Sequence, residues 1–204
     1  DFSSSSSVEI DTGNFLQMEF PEPFVDMVVT SPPYVTSYEY ADLHQLSSLW
    51  LGYTDDYRTL RDGTIGSLYH NDISMEEIEK LPDTGLDIYN KMAVVDKRKA
   101  LSIAKYFVDI RNAVAKIWHI IKPDGFAVFV IGNTKYSSVE INNARFLTRC
   151  MLDSGFRDIE VVKRKISSKI LTPYRDKKGR FSSNPNHKKV YSHEFVIIGK
   201  KSKS

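Results

Sequence analysis

Two short runs constrain the fold of this chain more than any other feature. Val25-Asp26-Met27-Val28-Val29-Thr30 and Phe126-Ala127-Val128-Phe129-Val130-Ile131 are almost wholly apolar and rich in β-branched residues. They do not alternate, so they fit strands buried on both faces, the pattern of parallel sheets covered by helices. Each stops abruptly, the first at Ser31-Pro32-Pro33-Tyr34 and the second at Gly132-Asn133. Between them, Ile103, Phe107, Ile110, Val114, Ile117 and Ile121 recur at spacings of three and four. That makes one apolar stripe along a long helix over 98–121. Strand, long helix, strand is the unit of an α/β fold.

The remaining elements extend the pattern. Val8-Glu9-Ile10 reads as a short strand entering a Thr12-Gly13-Asn14 turn, and Phe15–Met18 as one helical turn. Leu43–Leu51 reads as a helix with Asp42 as N-cap and Gly52 as its stop. Ser74 and Glu77 form a capping box. Lys122-Pro123-Asp124-Gly125 ends the long helix in a tight turn. A helix over Asn142–Ser154 stops at Gly155, followed by strands over Phe156–Ile166 and Glu194–Ile198. The expected fold is a doubly wound, mostly parallel α/β sheet with helices on both faces and an antiparallel C-terminal edge. Residues 1–7 are a serine-rich linker or cut edge, and 8–204 one domain. Residues 53–97, with turn residues Gly63, Gly66, Pro82 and Gly85, read as an insertion: a target-recognition segment, a lid or a dimer surface.

Composition excludes several classes. A hydrophobic content of 41% and 12% aromatics in 204 residues suffice for a packed core. No apolar run approaches the ~20 residues that span a bilayer, and no secretory pattern opens the chain. The single Cys150 excludes a disulfide framework or a Cys-based zinc site, and the five histidines lack metal-ligand spacing. The expectation is a protein of the cytoplasm, without metal or membrane. Charge is divided: residues 157–204 hold 14 Lys/Arg against 4 Asp/Glu, residues 1–156 hold 14 against 22. A basic C-terminal quarter on an acidic body suits a polyanionic partner.

Ser31-Pro32-Pro33-Tyr34 follows an apolar strand at its carboxyl end, where open α/β sheets bind ligands. Two prolines fix two φ angles and remove two N–H donors. The loop is therefore rigid and presents carbonyl acceptors beside the Ser31 hydroxyl and the flat Tyr34 ring. That set suits a planar substrate with an exocyclic amino group.

This motif resembles the catalytic loop of the S-adenosylmethionine-dependent DNA amino-methyltransferases, which modify cytosine N4 or adenine N6. The Ser form preceded by Thr30 is most typical of the cytosine-N4 enzymes, and some adenine enzymes carry it too. Val8–Leu16, with its Gly13-Asn14 pair, is similar to the preceding family segment, and Lys122–Phe126 to a turn that follows the long helix. The resemblance implies a Rossmann-like fold, S-adenosylmethionine as cofactor, DNA as partner and a prokaryotic intracellular setting. It implies a target base extruded from the stack, with Tyr34 stacked on it and Ser31 Oγ and the Pro32 carbonyl accepting from the amino group. Asn14 and Phe15 would lie near the cofactor's adenine, with Thr30 also on the cofactor side. Carbon-5 chemistry would need a Cys after a Pro, and Cys150 follows Arg149. Related motifs also occur in RNA and protein-amide methyltransferases.

The family's glycine-rich cofactor loop has no counterpart: none of the ten glycines forms Gly-x-Gly. The loop is expected upstream of Asp1 or in a second chain. A permuted position downstream, or a non-catalytic DNA-binding subunit, are the alternatives. Finally, Lys163, Arg164, Lys165, Lys169, Arg175, Lys177, Lys178 and Arg180, interleaved with Tyr174 and Phe181, form a basic loop over 163–189 expected to hold DNA phosphates.

Overall fold

The computed structural model describes residues 7–20, 23–35, 39–67, 69, 72–166, 174–175, 181–189 and 193–202. Strands β1 (Val25–Thr30), β2 (Ile121–Ile131), β5 (Phe156–Lys165) and β9 (His193–Lys201) form one sheet in the order β1-β2-β9-β5. β1 and β2 are parallel, pairing Val28 with Ala127 and Thr30 with Phe129. β9 runs antiparallel to both β2 and β5. The α/β class and the antiparallel C-terminal edge are as the sequence indicates, with one parallel pair among the three in this sheet. A hairpin of β3 (Thr134–Tyr136) and β4 (Val139–Ile141) lies apart from it. So does a small sheet of β6 (Tyr174–Arg175), β7 (Phe181–Ser182) and β8 (Lys188–Lys189).

The helices are α1 (Tyr40–Leu43), α2 (Gln45–Trp50), α3 (Met75–Glu79), α4 (Asp83–Val95), α5 (Lys97–Ile120) and α6 (Asn143–Ser154), with a 3-10 turn at Tyr57–Arg61. Their ends are set locally. The Asp96 carboxylate accepts from Lys99 N–H at 2.9 Å and starts α5, and Asn142 Oδ1 accepts from Arg145 N–H at 3.1 Å to start α6. Gly155 closes α6 at φ 107°, a conformation costly for any side chain. Ser74 and Glu77 form the expected capping box.

Packing departs from the sequence reading at several places. Asp42 is not an N-cap; it lies inside α1, and its carboxylate takes Arg61 at 2.6 Å. Val8 and Ile10 are exposed and belong to no strand among the described residues. α5 ends at Ile120, and Lys122–Gly125 is a bulge inside β2, between the pairs Val25–Ile121 and Met27–Phe126, with Asp124 at φ 67°. α4 occupies a stretch whose Pro82 and Gly85 suggested turns. Pro82 instead precedes its first turn, and Gly85 makes room for Phe146, whose ring would stand 2.9 Å from a Cβ there.

The core lies between the helices and one face of the sheet. The α5 stripe Ile103, Phe107, Ile110, Val114 and Ile117 is buried against Ala127, Phe129, Ile131 and Ile197. Phe107 stacks on Phe146 of α6 at 4.0 Å between ring centroids. Burying each such side chain contributes roughly 1.5–3 kcal/mol. Ile78, Leu81, Ile88 and Met92, all from the 53–97 segment, belong to the same core. The opposite sheet face presents Met27, Val29 and Phe126 to solvent, so β1 and β2 are not buried on both faces as their apolar runs suggested. Among the described residues, β1 pairs with β2 alone. No described helix is long and apolar enough to cross a membrane.

Candidate catalytic loop and adjoining cleft

The site begins where β1 ends. Ser31 leaves the strand and its Oγ donates to the Val130 carbonyl of β2 at 3.0 Å. With its proton so placed, the oxygen's lone pairs remain as acceptors. Tyr106 of α5, fully buried, donates its hydroxyl to the Pro33 carbonyl at 2.9 Å. Among the described residues, that leaves the Pro32 carbonyl as the prolyl acceptor without a donor. The Tyr34 ring rests on Gly132, just past β2: a Cβ there would stand 2.9 Å from it. Gly66, at φ 85°, closes the other side against Pro33 and the Tyr106 ring. The four residues are thus held by strand, helix and turn together.

Electrostatics reinforce the arrangement. Burial, chiefly, pushes the Tyr34 phenol above its ordinary value, partly opposed by the Ser31 hydroxyl. Nearby Glu194 pushes the same way as burial. Burial holds Tyr106 far above the usual phenol range, so it stays a neutral donor. Tyr40 lies within electrostatic range of Tyr34. Tyr53 is largely exposed, and Tyr38 lies outside the described residues.

Asn14 forms a separate centre. Its carbonyl accepts from Gln17 and Met18 N–H at 2.9 and 3.0 Å, and its Oδ1 accepts from Leu16 N–H at 3.0 Å. It lines a cleft of about 400 Å³ with Leu16, Gln17, Gly63, Asp72 and Lys105. Gly63, at φ 74°, has no room for a side chain there, since a Cβ would stand 2.7 Å from Asn14 Nδ2. Phe15 does not line this cleft; it packs on the core and lies 5.8 Å from the Phe20 ring. Thr30 ends β1, half-buried and paired with Phe129, also away from the cleft. Lys116 of α5 donates to the carbonyls of Phe15 and Leu16 at 3.0 and 2.9 Å, and to that of Met18. The 63–66 turn touches Asn14 at one end and Pro33 at the other, so it joins the two centres.

Of the basic residues, Lys163, Arg164 and Lys165 are exposed at the end of β5. Arg164 Nε donates to Glu194 Oε1 of β9 at 2.6 Å, near Tyr34. Arg175 lies in β6. Lys169, Lys177, Lys178 and Arg180 lie outside the described residues. No group of three or more potential metal ligands occurs among the described residues. Cys150 is buried, its thiol pushed up to about 12 by desolvation, far from nucleophilic.

Sequence reading missed Tyr106, Gly132, Lys116 and the Gly63–Gly66 turn. Only Gly132, directly after an apolar strand, carried a local signal.

No protein-family model matches the chain. The type II methyltransferase M.MvaI of Kocuria varians is 22% identical over 192 residues. The match takes in 90% of this chain and 42% of that protein, so the chain spans about two fifths of its relative's length. Solved structures with a related outline include TTHA0409 of Thermus thermophilus, provisionally named a DNA modification methylase. Its complex with S-adenosyl-L-methionine aligns with 93% of this chain and 50% of its own, at a TM-score of 0.46 and 12% identity. Its selenomethionine form gives 91%, 48%, 0.43 and 13%.

Proposed function

We propose that this chain is the target-amine portion of an S-adenosylmethionine-dependent DNA methyltransferase, acting on an exocyclic amino group, with cytosine N4 preferred to adenine N6. The observation that carries the reading is the Ser31–Tyr34 loop, locked at the carboxyl end of β1 by Val130, Tyr106 and Gly132. The similarity to a type II methyltransferase over nearly the whole chain supports it.

In this reading an extruded base enters beside the loop. The exposed part of the Tyr34 ring stacks on the base. Ser31 Oγ, its proton already given to Val130, accepts one amino hydrogen, and the Pro32 carbonyl accepts the other. Two acceptors drawing on the amino hydrogens raise the electron density on the nitrogen and fix its orientation, so that its lone pair, which points out of the plane of the base, faces the incoming methyl group. Because β2 and α5 hold the acceptors in place, positioning supplies much of the rate. When bound, the cofactor would supply an electrophilic methyl group: the N–C bond forms as the sulfonium C–S bond breaks, a neutral thioether leaves, and the surplus amine proton passes to water.

The residues present fit the cofactor in part. The Asn14 cleft, of about 400 Å³, offers an amide, the close backbone of Gly63 and the charged Asp72 and Lys105. These suit the polar adenosine and amino-acid ends. The glycine-rich loop itself is expected from a further segment or a second chain. The basic residues at the end of β5 and beyond would hold the phosphate backbone.

The test is tritiated-methyl transfer to DNA by the full-length protein, followed by digestion to nucleosides. N4-methylcytosine is the expected product, N6-methyladenine would move the assignment to adenine, and absence of label in DNA would overturn it.

A further inference from the structure

A second cleft, of about 610 Å³, lies between the start of α4, the outer side of α6 and strands β5 and β9. It is lined by Thr84, Asn133, Asn142 and Arg145, with Val161 and Phe195 as an apolar wall. Asn133 follows Gly132, on which the Tyr34 ring rests, so the cleft opens one residue from that contact.

Its polar lining is biased toward donors. Asn133 Oδ1 accepts from Ala144 N–H at 3.0 Å, and Asn142 Oδ1 from Arg145 N–H at 3.1 Å. Both amides therefore have their NH2 ends left to offer. The Thr84 hydroxyl is shielded from solvent and has no partner among the described residues. Arg149 is held by Asp153 at 2.9 Å, whereas Arg145 is exposed and meets no carboxylate within ion-pair distance among the described residues. Asp83 borders the cleft from the exposed start of α4. Amide, hydroxyl and guanidinium donors without acceptors of their own call for an anionic oxygen ligand.

We infer that this cleft holds a phosphodiester of the DNA strand, next to the nucleotide whose base is presented to Tyr34. The inference rests on the DNA-methyltransferase reading. It adds a backbone contact on α6, apart from the basic residues of β5. Holding the strand here fixes the sugar-phosphate beside the extruded nucleotide, which positions the amine relative to Ser31.

The experiment measures fluorescence anisotropy of a labelled mixed-sequence DNA duplex across a salt series, with Arg145→Ala, Thr84→Val and a Lys163→Ala/Lys165→Ala pair. Lys91→Ala, remote from the cleft, controls for loss of one positive charge. Arg145→Ala should weaken binding about three- to tenfold and flatten the log–log salt slope by about 0.9, one phosphate contact. Thr84→Val should weaken binding less and leave the slope unchanged. Unchanged affinity and slope in Arg145→Ala, with binding lost in the Lys163/Lys165 pair, overturns this inference and leaves the enzyme reading standing. Failure of the wild-type chain to bind DNA overturns both. If inorganic phosphate raises the wild-type melting temperature but not that of Arg145→Ala, while DNA binding is indifferent to Arg145, the cleft takes free phosphate and the strand assignment is wrong.

Discussion

The ring of Tyr34 and the backbone of Gly132 are in direct contact, with no space between them for even a methyl group. Gly132 is not among the residues with a left-handed backbone, so alanine fits its conformation and conflicts only with the ring. Gly132→Ala should therefore fold normally and displace Tyr34. A shift of about 1 Å at a reacting centre can cost roughly 100-fold, so methyl transfer should fall roughly ten- to 100-fold. Tritium incorporation and thermal melting on the same sample check both halves of the claim.

Tyr106→Phe removes one hydroxyl and leaves the Pro33 carbonyl without its donor. The stability loss should be about 1 kcal/mol, read from urea denaturation. If the contact also fixes the loop, kcat should drop roughly tenfold, more than the small stability change explains. An unchanged kcat would make the bond purely structural.

Asp96 caps α5 and also accepts from the Tyr136 hydroxyl at 3.2 Å. The Lys99 N–H, first, and then Tyr136 hold its carboxyl below the ordinary value of 3.8. A depressed folded-state pKa contributes stability that is present above the unfolded value and lost as pH falls toward the folded one. Urea midpoints should therefore decline below about pH 4, and Asp96→Asn, which keeps an acceptor but cannot titrate there, should show a shallower decline.

Buried Cys150 should react with a thiol reagent such as DTNB only as fast as the fold opens. Cys150→Ala should retain methyl transfer. Loss of activity with the fold intact would reopen a covalent route.

How much of this was legible beforehand depended on whether the signal was local. The α5 stripe at spacings of three and four, the Ser74–Glu77 capping box and the Gly155 stop are carried by neighbouring residues, and each is found where the sequence put it. The α4 helix was obscured because Pro82 and Gly85 read as turns, while in the fold one precedes the first helical turn and the other accommodates Phe146. The bulge at Lys122–Gly125 is set by register against β1, nearly 100 residues away. Ser31–Tyr34 was visible as a motif. What holds it was not, because Tyr106 looks in the sequence like one more aromatic on a helix and meets Pro33 only through the fold.

Tyr106 and Lys116 belong to the same helix. One fixes the loop of Ser31–Tyr34, and the other gathers the carbonyls after Asn14. Ten residues separate them, about 15 Å along the axis at 1.5 Å per residue. Helix α5 is therefore a ruler that sets the spacing between the two centres. Inserting or deleting one residue between Tyr106 and Lys116 would change that length by only about 1.5 Å, yet turn one anchor about 100° from the other. The residue count of α5 between these anchors is therefore fixed from both ends at once.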